Sequence, residues 1–198
     1  VLTGSERMKQ RPIRVLVEAL NRLGARIGYL ENEGFPPLEI YGSRLVGGSI
    51  DIPASVSSQY ISALLMIAPY MEKGLEIRLT GKVVSSSYID MTLQIMREFG
   101  AEVGREDTVI GVKPGEYPSV PYRVESDWSA ASYFYELLAI AGEGEIILTG
   151  LKEKSMQGDS RQTVVWRKLG VRTCYEGDLV RLSAAKPEID RLDYDFVE

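Results

Sequence analysis

Leu79-Thr80-Gly81 closes an apolar, strand-like run, and the same three residues stand at Leu2-Thr3-Gly4 and at Leu148-Thr149-Gly150. These triplets lie 77 and 69 residues apart. About twenty residues after each comes a second recurring signal, Leu23-Gly24-Ala25, Phe99-Gly100-Ala101 and Leu169-Gly170-Val171, at spacings of 76 and 70. Two independent markers recurring at matched intervals identify an internal repeat. Between the markers, residues 11–23, 88–99 and 160–169 place apolar side chains at three- and four-residue steps, the pattern of an amphipathic helix. In the first of these, Ile13, Leu16, Val17, Leu20 and Leu23 form the stripe. The glycine of the second marker supplies the left-handed conformation that ends each helix.

After each glycine come two short strand patterns, at 26–31 with 38–41, 102–105 with 109–112, and 171–175 with 179–182. The turn Glu176-Gly177-Asp178 is a hairpin signal. Second helices are predicted at 57–70 and 129–141, each leading into the next Leu-Thr-Gly strand. In circular order the unit is βαβαββ, with two complete passes and a partial third. The fold class is mixed α+β, built of repeated units that bury one face of a sheet under their helices. Pro114, Gly115, Pro118 and Pro121 make residues 113–122 read as a linker. A lobe boundary is expected near Arg123, with residues 1–123 forming most of one lobe and 124–198 the incomplete start of another.

With 198 residues, 44% of them hydrophobic, the chain can bury one large or two modest cores. Its net charge of −5 argues against a nucleic-acid or anionic-membrane partner, since either calls for a basic excess. Residues 61–71 form the longest apolar stretch, interrupted by Ser62 and Pro69, and fall short of the ~20 residues that span a bilayer. One cysteine, Cys174, rules out an intrachain disulfide and fits a reducing, cytoplasmic setting. No histidine is present, which removes the triad base and the usual zinc ligand. Chemistry must therefore rest on Lys, Arg, carboxylates, hydroxyls and backbone, and no metal site is expected. The start at Val1 without an initiator Met, and the end at Glu198 without a closing motif, read as ends cut from something longer.

Four groups of residues sit where helices begin. Ser57, Ser58 and Gln59 open the apolar second helix, where unpaired N–H groups and the positive end of the helix dipole favour an anion. Ser85 and Tyr88 open the next helix in the same way. Arg11 precedes Pro12, a residue suited to the first turn of a helix, so that its guanidinium projects near that helix's start. Asp127 starts the helix through Ser129 and Ala131. On their own chemistry these residues read first as N-caps and, for Arg11, as a solvated surface cation, with anion binding the second reading.

The runs from Leu2 to Ile13 (LTGSERMKQRPI), Ser55-Val56-Ser57-Ser58-Gln59, Val84-Ser85 with Tyr88-Ile89-Asp90, and Asp127-Trp128-Ser129-Ala130-Ala131-Ser132-Tyr133-Phe134 together resemble 5-enolpyruvylshikimate-3-phosphate synthase over nearly the whole chain. That resemblance implies a two-lobed fold of βαβαββ units with the active site in the cleft. It implies transfer of the enolpyruvyl group of phosphoenolpyruvate to the 5-hydroxyl of shikimate 3-phosphate, with no cofactor. By the same resemblance Ser57, Ser58, Gln59, Ser85 and Tyr88 hold shikimate 3-phosphate, and Arg11 binds phosphoenolpyruvate, which Gln59 also touches. Asp127 becomes the candidate general base. The family's amino-terminal Lys-Ser motif and carboxy-terminal Arg and Lys clamps are missing from the chain. Met156-Gln157 stands where a Lys-Glu pair is expected, and Gln157 cannot serve as an acid. The isolated chain is therefore expected to bind without turning over. Two other readings are the related enolpyruvyl transferase acting on a UDP-sugar, and a non-catalytic repeat module that self-associates through truncated faces.

Overall fold

A computed structural model describes residues 1–81 and 86–193. The chain divides into two compact units, Val1–Val120 and a second from Pro121 onward. In the first unit, strands β3 (Gly48–Pro53) and β4 (Leu75–Thr80) are parallel, and β5 (Val103–Glu106) and β6 (Val109–Val112) form a hairpin. Together they make a mixed sheet in the order β3-β4-β6-β5. A separate ribbon pairs β1 (Arg26–Tyr29) with β2 (Leu38–Tyr41). In the second unit β7 (Glu145–Thr149), β8 (Val171–Glu176) and β9 (Leu179–Ala184) form an antiparallel sheet in the order β7-β9-β8.

The repeat is visible in this pairing. Each Leu-Thr-Gly segment lies antiparallel to the second strand of the hairpin that follows it: Leu2 bridges Leu38 of β2, β4 pairs with β6, and β7 pairs with β9. In the first pass this contact is a single bridge rather than a strand.

The core of the first unit follows from alternation. Leu75, Ile77 and Leu79 point to one face of β4 and are buried, whereas Glu76, Arg78 and Thr80 point to the other. Helix α3 (Ser58–Ile67) covers that buried face and packs against both α2 (Arg14–Arg22) and α4 (Ser86–Glu98). Having helical neighbours as well as a sheet beneath, α3 is apolar around most of its circumference, with Ile61, Leu64 and Leu65 fully buried. Each such side chain contributes about 1.5–3 kcal/mol through burial. Pro69 cannot continue the helix, which tightens into a 3₁₀ turn at Ala68–Tyr70. In the second unit, α5 (Trp128–Ala141) and α6 (Gln162–Lys168) pack around Trp128, Tyr135, Val171, Val180 and Leu182. The Tyr135 ring stacks on Trp166, and its hydroxyl meets Thr173 Oγ1 at 2.8 Å. Gly142, at φ 68°, ends α5 in the left-handed conformation.

The start of the first helix differs from the sequence expectation. Residues 11–23 do not form one helix, and Pro12 is not in its first turn. A one-turn helix α1 (Glu6–Lys9) comes first, and α2 begins only at Arg14 behind Ile13, whose side chain offers no cap. Tertiary hydrogen bonds hold the intervening residues: Ile13 N donates to the Gly34 carbonyl, and the Pro12 carbonyl accepts from the hydroxyl of Tyr60. Similarly, residues 158–161 form a 3₁₀ turn ahead of α6 instead of its first turn.

Candidate functional site

Parallel pairing of β3 and β4, in a register that sets Pro53 opposite Thr80, brings both strands to an end at one edge of the sheet. The chain leaves that edge twice to start a helix, α3 after Pro53 and α4 after Thr80. Two helix N-termini are thus aimed at the same side of the unit, and their dipoles add for an anion placed there. Ser57 is the N-cap of α3, its Oγ accepting from Gln59 N at 3.3 Å. The hydroxyl proton of Ser57 is not used in that contact and can still donate. Ser58 is half-buried in the first turn, and Gln59 is exposed beside it.

One turn deeper, Ser62 Oγ and Thr92 Oγ1 meet at 2.8 Å and join α3 to α4. Ser58 lies four residues before Ser62, and Tyr88 lies four before Thr92. Residues four apart share a helix face, so Ser58 and Tyr88 stand on the adjoining faces of the two helix starts. Thr92 also donates to the Tyr88 carbonyl. The Tyr88 side chain is 58% exposed and available at the edge. Ser85 lies outside the described residues. Arg11 is exposed, in the bend after α1 rather than at a helix start. Its neighbour Pro12 is tied to the first turn of α3 by the Tyr60 hydroxyl at 2.5 Å, which brings the arginine's segment to the α3 start by a different route. The structure thus gathers the Arg11 segment, Ser57 to Gln59 and Tyr88 within one unit. Tyr60 was missed from sequence because its partner lies 48 residues away.

Asp127 belongs to the second unit. It is the N-cap of α5, exposed, with Oδ1 accepting from Ser129 N at 2.8 Å. Around it is a network that no local pattern announces. Glu125 accepts from the Trp128 indole N–H at 3.0 Å, from Lys152 N at 2.9 Å and from the Ser155 hydroxyl at 3.0 Å. Ser155 Oγ in turn accepts from Gln157 N at 3.0 Å. The Gln157 carboxamide takes the Trp128 N–H at 2.9 Å and donates to the Ser126 carbonyl at 2.9 Å. Gln162 donates to the Trp128 carbonyl and accepts from Trp166 Nε1. Ser129 Oγ donates to Asp159.

A concavity of the first unit lies on the open sheet face, lined by Ser49, Glu76, Gly104, Gly111 and Lys113. That is the face opposite the helices, away from their N-termini, and we place no chemistry there. Among the described residues no group of three or more His, Cys, Asp or Glu side chains is disposed to hold a metal ion, and no helix is long and apolar enough to cross a membrane.

A family model described as EPSP synthase (3-phosphoshikimate 1-carboxyvinyltransferase) matches residues 1–191. The 3-phosphoshikimate 1-carboxyvinyltransferase of Bacteroides fragilis is 52% identical over 198 residues, covering 100% of this chain and 48% of the relative. The enzyme of that name from Escherichia coli is 44% identical over 199 residues, covering 99% and 46%. The chain spans about half the length of the curated relatives it matches. Among solved structures, EPSP synthase from Acinetobacter baumannii superposes with a TM-score of 0.69 at 21% identity, over 93% of this chain and 42% of that one, a likeness of fold.

Proposed function

The chain belongs to the EPSP synthase family, and on that premise we propose that it supplies part of the site where enolpyruvyl passes from phosphoenolpyruvate to the 5-hydroxyl of shikimate 3-phosphate. The observation that carries this reading is the pair of helix starts at one sheet edge, with Ser57 to Gln59 on one and Tyr88 on the other. A chain of net charge −5 can hold a phosphate there because N–H groups, hydroxyls and helix dipoles supply the local positive field. Ser57, Ser58 and Gln59 are assigned to shikimate 3-phosphate, with Ser85 and Tyr88 on the same ligand. Arg11 is assigned to phosphoenolpyruvate, whose carboxylate or phosphate its guanidinium fork can grip in bidentate fashion. Asp127 is the candidate base that takes the proton of the 5-hydroxyl.

In this reaction the hydroxyl oxygen bonds to C2 of phosphoenolpyruvate while a proton is added at C3. The tetrahedral adduct then loses a proton from C3 and expels phosphate, restoring the double bond. No cofactor enters the balance. The chain's own part is to hold two anions in register, which removes most of the entropy of a bimolecular encounter. The two units are proposed to be portions of the family's two lobes, and a cytoplasmic setting belongs to the same proposal.

Ligand-detected NMR on the 198-residue chain tests the binding half. Saturable binding of shikimate 3-phosphate, in preference to UDP-N-acetylglucosamine, is expected at up to millimolar ligand. No binding, or preference for the UDP-sugar, overturns the assignment.

A further inference from the structure

Neither Met156 nor Gln157 has an acidic proton to give. The structure gives Gln157 another task. Its two amide ends reach the carbonyl of Ser126 and the N–H of Trp128, the backbone groups on the two sides of Asp127. Only one orientation of the amide suits both, because an N–H can only donate and a carbonyl can only accept. The side chain therefore acts as a two-point clamp across the residue whose carboxylate caps α5.

Gln157 is itself held. Its own N–H donates to Ser155 Oγ, and Ser155 donates to Glu125, which also takes the Trp128 indole N–H. Trp128 is fully buried and further fixed through its carbonyl by Gln162. Asp127 is thus an exposed side chain on a backbone immobilised from its inner side. We propose that Gln157 is the positioning residue for Asp127, setting the direction in which that carboxylate is presented to substrate. This rests on the reading of Asp127 as a group that meets substrate.

The amide is hard to replace. Asn is one methylene too short to span both partners. Glu has the reach, but its carboxylate accepts from Trp128 N–H and has no proton for the Ser126 carbonyl. Protonated, a Glu regains both contacts. Glu125, joined to Gln157 through Ser155, and Asp127, between the two clamped backbone groups, disfavour a further negative charge, so the introduced carboxyl holds its proton more tightly than an ordinary glutamate.

The test is kinetic, in the full-length polypeptide that carries this segment, with Asp127→Asn measured in parallel. Gln157→Met is expected to lower kcat by about 10- to 100-fold with KM within about twofold, as a small misplacement of a reacting group does. Gln157→Glu should show the same loss at pH 8 and recover as pH falls, a profile the wild type lacks. In the 198-residue chain, NMR should show faster amide exchange at Ser129 in Gln157→Met. If Asp127→Asn is impaired but both Gln157 variants keep wild-type kcat per folded molecule, the positioning role is refuted. If Asp127→Asn itself turns over normally, the reading of Asp127 fails and takes this inference with it. Should Gln157→Met not fold, the pH profile of Gln157→Glu decides alone: absence of recovery refutes the clamp.

Discussion

Replacing Ser57 and Ser58 one at a time by Ala separates the capping role of the α3 start from its anion-binding role. Ser57 Oγ caps Gln59 N–H at 3.3 Å, a long contact, so its loss should fall in the lower part of the range for N-caps, about 0.5–1 kcal/mol. For a unit of this size that lowers Tm by about 2–5 °C. Ser58 lies inside the helix, where Ala is the better helix former. Ser58→Ala should leave Tm unchanged or slightly raised. Both hydroxyls are assigned to the phosphate of shikimate 3-phosphate, and a hydrogen bond to a charged group contributes about 1.5–3 kcal/mol. Each substitution should therefore weaken binding by about 10- to 100-fold. Capping does not compete with binding, since Ser57 accepts from Gln59 through its oxygen and donates through its proton. The assays are thermal unfolding by circular dichroism and calorimetric titration with shikimate 3-phosphate. The expected signature is that Ser57→Ala moves both readouts and Ser58→Ala only binding. Unchanged affinity in Ser58→Ala, or loss of affinity that tracks Tm alone, refutes the anion-site reasoning.

Three further outcomes are expected. Asp127→Asn keeps an oxygen to accept from Ser129 N–H, so stability should change by less than about 0.5 kcal/mol; kcat of the full-length polypeptide should fall by about 10²- to 10⁴-fold if the carboxylate is the base. Burial pushes the Tyr135 hydroxyl up to about 12. The folded state then favours the neutral phenol, so this stabilisation is complete below pH 10, where the unfolded tyrosine starts to ionise, and is lost as pH rises toward 12. The loss, on the order of 1–2 kcal/mol after allowing for screening, should be read as a falling urea midpoint of the second unit that Tyr135→Phe largely removes. Gly74 has φ +65°, and a Cβ there would lie 2.2 Å from the Val112 carbonyl oxygen. Gly74→Ala should destabilise the first unit by at least about 2 kcal/mol in chemical denaturation.

Much of the fold is written in short-range signals. The alternation in β4, the stripes of α2 and α4 and the glycines after α2, α4, α5 and α6 are set by neighbours within a turn or two, so the βαβαββ repeat could be read from the chain. Ser57 and Asp127 were legible as helix starts for the same reason, and the structure shows both as caps. Pro12 misled because its local preference for a first helical turn yields to the Tyr60 hydroxyl and the Gly34 carbonyl.

By itself the sequence determined the repeat, most of the helices and strands it is made of and the family, but not where α2 and α6 begin. Only the tertiary structure decided that α3 and α4 open at one edge, because that follows from parallel pairing of β3 with β4. It alone showed that Arg11 is brought to the α3 start through Pro12 and Tyr60, and that Gln157 spans Asp127 across 30 residues of chain. Contacts of that kind have no period and no local signature. They arise where packing delivers a donor to an acceptor, which a reading of neighbouring residues cannot supply.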